Sequence, residues 1–269
     1  MKAPIIALIT DFGQEDFFVA SLKGVILKIN PTIQIVDITH YIPSFDVQAA
    51  GFVLYSCYKF FPEKTIFLIV VDPGVGSLRK IMLVESRYYF YIAPDNGLLS
   101  LILRTDDIKK IREISNKKFW LAENSTTFEA RDKMAPVAAY LSQGVPCSEF
   151  GPPLEKYKEF KFKEPRASSR EIKGSILYVD KFGNLITNIP SHLLERMKEK
   201  NSKRDFCLVF KKKKINYYGQ SYSSVAKGNL LFLGGSLGLV EIAAREESAA
   251  MKLGAKVRDE VRIIVKSKE

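Results

Sequence analysis

The sequence predicts an α/β N-terminal domain with a mostly parallel sheet, followed by a small C-terminal all-β barrel domain. Three observations carry that prediction. Apolar runs at Ile5–Ile9, Ile33–Val36 and Ile66–Val71 alternate with segments of helical periodicity, the βαβαβ order of a parallel sheet with right-handed crossovers. Gly151-Pro152-Pro153 then breaks the pattern and opens a charged stretch with few periodic apolar positions. Beyond it come short β-type runs separated by turn residues, as in a small antiparallel barrel or sandwich. The boundaries read as 1–150 for the α/β domain, 151–174 for a linker and 175–269 for the barrel. With 269 residues, 46% of them hydrophobic, the chain is long enough for one large or two ordinary domains with a real core.

Each element has its own signal. The first run leads into Thr10-Asp11-Phe12-Gly13. Phe18, Leu22, Val25, Ile26 and Ile29 then recur at helical spacing, and Pro31 stops the helix. The second run ends on Asp37-Ile38-Thr39-His40. Ser44 is placed to cap a helix carrying Ala49, Ala50, Val53, Leu54, Cys57 and Tyr58, with Pro62 beyond its end. The third run ends on Asp72-Pro73-Gly74-Val75-Gly76. Buried parallel strands read as continuous apolar runs, and ligands of such sheets sit just past the strands' carboxyl ends. Strand ends bearing Asp11, His40 and Asp72 therefore outline a binding crevice. Lys80–Glu85 and Tyr88–Ala93 read as two further strands, and Pro94-Asp95-Asn96-Gly97 as a turn. A third helix runs from Arg131 or Asp132 to Ser142, with Pro136 near its first turn, where a missing donor costs little. In the second half, strands are expected at Ser175–Val179, Leu185–Ile189, Phe206–Phe210, Leu230–Leu233 and Val261–Val265. Lys211 to Lys214 belong at a hairpin tip.

Composition excludes several classes. No apolar stretch reaches the length of a membrane span. Met1-Lys2-Ala3-Pro4 leads into a strand too short for a signal peptide's apolar region, so the expected location is cytoplasmic. Cys57, Cys147 and Cys207 are odd in number and widely spaced, which supports neither a zinc ribbon nor a disulfide framework. His40 and His192 are the sole histidines, too few for a transition-metal site. The net charge of +11 is compatible with nucleic acid, but no nucleic-acid motif accompanies it. A lysine-rich solvated surface is the simpler reading, and no nucleic-acid or membrane partner is expected.

Four constellations carry chemistry. Asp11 suits two vicinal hydroxyls, because an ionised carboxylate accepts from both; it suits a helix cap equally well. Asp72-Pro73-Gly74-Val75-Gly76 with Arg79 is either a loop that lets backbone approach a ligand or a glycine-rich hairpin with an ion pair. Thr127-Phe128-Glu129-Ala130-Arg131-Asp132 precedes a helix, where negative charge is favoured for the dipole alone. Tyr178 to Asn188 is a hairpin whose Gly183 and Asn184 meet turn geometry. Phe182, Asp180 and Asn184 go beyond what geometry requires. An aromatic can stack on a base, and a carboxylate with an amide can hold an ammonium or a carboxylate.

In order along the chain stand TDFG (10–13), DITH (37–40), VDPGVG with Arg79, PDNG (94–97), TFEARD (127–132), FGNLITN (182–188) and GSLGLVEIA (235–243). This set resembles the S-adenosyl-L-methionine hydrolase (adenosine-forming) family, the SAM hydroxide adenosyltransferases, relatives of the fluorinases and chlorinases. The resemblance covers residues 5 to 265. It implies an α/β domain followed by a β-barrel and a homotrimer. The substrate would lie between one subunit's N-terminal domain and a neighbour's barrel. The implied reaction is SAM plus water giving adenosine and methionine, with no metal or redox cofactor. Asp11 would hold the ribose hydroxyls, and Phe45 falls where the halogenases have a pocket tryptophan. Phe182 would lie against adenine, and Asp180 and Asn184 would contact the methionine end or the nucleoside. Ser236 and Glu241 would complete the methionine pocket. Asp72 and Arg79 match two members of the hydrolases' water-activating triad; halogenases carry a tyrosine for that aspartate. The family's third member is a histidine in TFHGRD. Here that position is Glu129, with Ala130 for the glycine, and Arg245 stands where relatives often have asparagine. A second carboxylate beside Asp72 is expected to raise one of the two pKa values. A non-catalytic SAM or adenosine binder is the alternative that the missing histidine leaves open.

Overall fold

The structure is a computed structural model that describes residues 4–122, 126–201 and 205–266. The chain divides into two compact units, Met1–Phe160 and Lys161–Glu269.

In the first unit, β1 (Ile5–Thr10), α1 (Phe18–Ile29), β2 (Gln34–Thr39), α2 (Val47–Cys57) and β3 (Ile66–Val70) follow one another as the apolar runs predict. Then come β4 (Ile81–Ser86), β5 (Phe90–Pro94), α3 (Ser100–Thr105), β6 (Ile108–Glu113) and α4 (Ala135–Ser142). The six strands form one sheet in the order β2-β1-β3-β5-β4-β6. β1 pairs in parallel with β2 and β3, and β3 with β5. β4 is antiparallel to both β5 and β6. The sheet is therefore mixed, which corrects the mostly parallel expectation. The cause is local: Ser86 and Tyr89 exchange backbone and hydroxyl bonds across a tight turn, and a connection that short joins only antiparallel strands.

Both faces of the sheet are covered. Leu8, Leu68 and Ile92 pack under Leu22 and Ile26 of α1 and Val137 and Ala138 of α4. On the other face Phe67 and Tyr91 stack at 5.4 Å, with Tyr58 edge-on to Tyr91. The α2 cap is Asp46, whose Oδ1 accepts from the Ala49 amide at 2.9 Å, and not Ser44. A widened, π-helical turn, Ala130–Met134, leads into α4.

The second unit contains β7 (Arg166–Ala167), β8 (Glu171–Val179), β9 (Leu185–Pro190), α5 (Ser191–Lys200), β10 (Phe206–Phe210) and β11 (Lys213–Ile215). β12 (Leu230–Gly234), β13 (Leu239–Ala244), α6 (Ala249–Leu253) and β14 (Glu260–Val265) complete it. The main path is β11-β10-β14-β8-β9-β13-β12, with β7 beside β8. Every ladder is antiparallel. Gly219 N donates to Phe232 O at 2.9 Å and Phe232 N to Tyr217 O at 3.0 Å. These bonds draw the chain after β11 onto β12, so the sheet is a nearly closed barrel around Ile176, Leu185, Phe210, Phe232 and Ile263. Lys211 and Lys212 make the turn of the β10–β11 hairpin. β8 begins within the segment read as linker.

Candidate active site

Past the carboxyl end of β3, the structure brings Asp72, Arg79 and Glu129 together. Arg79 Nε donates to Asp72 Oδ2 at 2.7 Å and Nη2 approaches the same oxygen at 2.5 Å. Nη2 also donates to Glu129 Oε2. Glu129 Oε1 accepts from Lys133 Nζ at 2.5 Å. The result is a row of alternating charges, Asp72–Arg79–Glu129–Lys133, whose side chains are 5 to 12% exposed.

The backbone explains the placement. Asp72 Oδ1 accepts from Gly74 N at 3.1 Å, and Ser77 N donates to Gly74 O at 3.1 Å, turning the chain back so that Arg79 faces Asp72. Gly76 has φ +77°, and a Cβ there would lie 2.5 Å from the Thr126 carbonyl oxygen. This glycine is thus required by the seating of the loop on the segment that carries Glu129. The Asp95-Asn96 turn clasps the loop at both ends: Asn96 Nδ2 donates to Val71 O, and Asp95 N to Lys80 O, each at 2.9 Å.

Burial alone would push the Glu129 carboxyl up. The Lys133 hydrogen bond and the Arg79 charge outweigh it and hold Glu129 below the usual carboxylate range. The expected rise from two neighbouring carboxylates is reversed at Glu129, because a cation stands on either side of it. For Arg79, burial works against the charge, but hydrogen bonds and attraction from Asp72 and Glu129 raise its pKa further. It is a fixed cation.

Asp11 and Phe45 also meet. Asp11 Oδ2 accepts from Phe45 N at 2.9 Å. Phe45 has φ +67°, unusual for a non-glycine residue, and its ring is 69% exposed. His40 is buried beneath them. Its Nδ1 lies 2.9 Å from Thr10 Oγ1 and its Nε2 3.1 Å from Asp37 Oδ1. Phe12, Phe18 and Phe128 form a ring triangle with centroids 5.3 to 5.9 Å apart. The triangle fixes the Asp11 loop against the segment bearing Glu129.

In the barrel unit, Asp180 Oδ1 accepts from the amides of Phe182 (2.9 Å) and Asn184 (2.8 Å), and Oδ2 from Asn184 Nδ2 at 2.8 Å. The Phe182 ring at the hairpin tip is 75% exposed. Glu241 is buried, accepts from the Tyr222 hydroxyl at 2.8 Å and lies against Gly235, where a Cβ would be 2.0 Å from Oε1. Burial raises the Glu241 pKa, the Tyr222 bond opposes this, and the Asp180 charge adds to the rise. Tyr222 is pushed up to about 12 by burial and by Glu241. Ser236 is exposed in the adjoining turn between β12 and β13.

Sequence reasoning missed Lys133 and Tyr222. The first had a signal, since Glu129 and Lys133 stand four apart at a helix start, the spacing of a facing ion pair. Tyr222 had none, because it reaches Glu241 from a separate turn. Among the described residues, no group of three or more His, Cys, Asp or Glu side chains could hold a metal ion, and no helix is long and apolar enough to cross a membrane.

A (R)-S-adenosyl-L-methionine hydrolase of Salinispora tropica is 32% identical to this chain over 263 residues, covering 97% of each chain. A fluorinase of Actinoplanes sp. is 31% identical over 220 residues, 72% of this chain and 74% of the fluorinase. The crystal structure of an uncharacterized conserved protein from Thermotoga maritima superposes with a TM-score of 0.89 at 35% identity, over 97% of this chain and all of that one. The models of the SAM hydroxide adenosyltransferase N-terminal and C-terminal domains match residues 6–151 and 174–262. With both matched and most of its length accounted for, the chain belongs to the SAM hydroxide adenosyltransferase family.

Proposed function

We propose that this protein hydrolyses S-adenosyl-L-methionine to adenosine and L-methionine, with water attacking C5′ in line with the departing sulfur. The observation that carries this reading is the Asp72–Arg79–Glu129 row at the end of β3. The sulfonium is already a good leaving group, so no acid need protonate it. What the enzyme must supply is one oriented water. Placement of that kind contributes up to roughly 7–11 kcal/mol of barrier reduction. An ionised carboxylate offers about four acceptor sites. Asp72 uses some of them on Arg79 and Gly74 and keeps capacity to accept from a water. The O–C5′ bond forms as the C5′–S bond breaks. The electron pair remains on sulfur as the neutral thioether of methionine, and the water's proton passes to Asp72 and on to solvent.

Asp11 holds the ribose hydroxyls and Phe45 lines the pocket. From the barrel side Phe182 covers adenine. Asp180, Asn184, Ser236 and Glu241 receive the methionine end, whose ammonium suits an anionic cluster. The exposure of Phe45 and Phe182 supports a site completed by a neighbouring copy; the homotrimer and the cytoplasmic location are taken over from the family resemblance and the sequence reading. SAM is the substrate and no cofactor takes part.

A second reading, binding without turnover, is favoured by one observation: Glu129 is bound to Arg79 and Lys133 at the position the resemblance gives to a histidine. Incubation with SAM separates the two readings. Hydrolysis releases adenosine and methionine one to one. Adenosine at background throughout pH 5 to 9, together with saturable SAM binding by calorimetry, rejects catalysis in favour of binding.

A further inference from the structure

Glu129 would be a costly neighbour for Asp72 if Arg79 were their sole counter-ion. Two nearly buried carboxylates sharing one arginine leave a negative charge uncompensated, and an unpaired buried charge is strongly destabilising. Lys133 supplies the missing positive charge. Its ammonium takes Glu129 Oε1 at 2.5 Å while Arg79 takes Oε2. Glu129 is thus gripped on both oxygens.

The surroundings of Lys133 make the grip a built one. It lies one helical turn on from Glu129, and the π-helical turn Ala130–Met134 spans the interval. Widened turns of this kind are frequent at functional sites. The ammonium also lies 4.6 Å from the centre of the Trp120 ring, a cation–π contact that fixes its other side. With 12% of its side chain exposed, Lys133 has given up most of the solvent that a lysine normally keeps unless it is paired. The charged groups facing Glu129 are Arg79 from the loop after β3 and Lys133 from its own turn, with Asp72 behind Arg79.

We propose that Lys133 is a positioning residue of the hydrolytic centre: it clamps Glu129 as a fixed anion onto Arg79, which keeps Arg79 aimed at Asp72 and removes Glu129 from service as a base. The inference rests on the hydrolase reading and deepens it, by saying how a glutamate works where the resemblance expects a histidine. A neutral imidazole has a lone pair that takes a proton near neutral pH. A carboxylate bridging two cations has its charge already engaged, so the proton of the attacking water goes to Asp72.

The test uses the full chain with Lys133→Met, which keeps the stem against Trp120 and removes the charge, and Lys133→Arg, which keeps the charge. The first readout needs no substrate. A carbon-13 NMR titration of the Glu129 carboxyl, assigned with Glu129→Gln, is expected to show a midpoint about one pH unit or more higher in Lys133→Met. Lys133→Arg should stay near wild type. The second readout is the pH–rate profile of adenosine release, whose acid limb is expected to move up in Lys133→Met and return in Lys133→Arg. The third is the double variant Glu129→Gln/Lys133→Met, expected to be no slower than Glu129→Gln alone. An unmoved Glu129 midpoint overturns the clamp. So does a rate that falls evenly across pH with an unmoved limb, or a loss that adds fully to that of Glu129→Gln. A wild type that releases no adenosine overturns the hydrolase reading alone, because the NMR titration still decides whether Lys133 holds Glu129.

Discussion

Asp72 accepts from Arg79 and Gly74 and is the one carboxylate of the row without a lysine on it. In Asp72→Asn the water loses the carboxylate that takes its proton while the shape is kept. Adenosine release is expected to fall by roughly 10²–10⁴-fold, with SAM binding by calorimetry changed little. Glu241 makes a contrasting case. Burial raises its pKa, and a carboxyl whose folded pKa is raised contributes stability at low pH that is lost as pH rises from the ordinary glutamate value through the folded one. Glu241→Gln is therefore expected to raise the Tm at pH 7 relative to wild type and to narrow the gap at pH 4. From the proposed ammonium contact, KM for SAM is expected to rise about tenfold or more in the same variant. A Tm gain that is independent of pH would contradict the titration argument. At this scale the sequence was informative wherever motif and chemistry coincide. Asp72 and Arg79 meet as their spacing suggested, with Glu129 on the same arginine, whereas the Asp11 bond to the Phe45 amide carried no sequence signal. Lys133 and Tyr222 were hidden because their meaning comes from the partner each reaches, and no motif marks either one.

Among elements, the loop from Asp72 to Arg79 depends on backbone meeting backbone. Gly76 combines a left-handed φ with a 2.5 Å approach to the Thr126 carbonyl. Gly76→Ala is expected to cost about 1–3 kcal/mol, read as a lower midpoint in urea unfolding, and to lower adenosine release by moving Arg79. Full activity in this variant would show that the loop can reseat. Two of the apolar runs were legible as β1 and β3 because buried strands leave no polar residues to interrupt them, whereas β2, at the sheet edge with Gln34 and Asp37 exposed, was legible from Ile33, Ile35 and Val36 alone. β6 was not. Ile108-Lys109-Lys110-Ile111-Arg112-Glu113 is the last strand of the sheet, where two lysines are exposed and charge suits a solvent-facing edge. The antiparallel course of β4 was equally opaque, since an apolar run carries no sign of its direction. The helix cap shifted from Ser44 to Asp46 because both residue types accept from a free amide and spacing alone does not choose between them.

For the whole molecule, the formal charge of +11 sets a global field. The Asp72–Arg79–Glu129–Lys133 row sums to zero and does little to offset it. SAM carries a net positive charge at neutral pH, so long-range repulsion opposes its arrival. The association rate of SAM, measured by stopped flow, is expected to rise with salt as that repulsion is screened over a Debye length of about 8–10 Å. A rate that falls with salt would mean that local anions such as Asp180 and Glu241 dominate the approach. The lysines that make the chain basic include Lys211 and Lys213, whose ammonium groups reach the carbonyls of Gly254 and Lys252. Part of the positive charge thus has a structural use near the end of α6. The barrel, too, bears on how copies of the chain meet. Tyr217 and Gly219 are stitched to Phe232, so main-chain groups there are already matched. An open rim would invite a stranger's strand to continue the ladder. With this seam fastened, another molecule arriving at it must be recognised by the shape and charge of side chains, and growth by lengthening the sheet is closed off at that point.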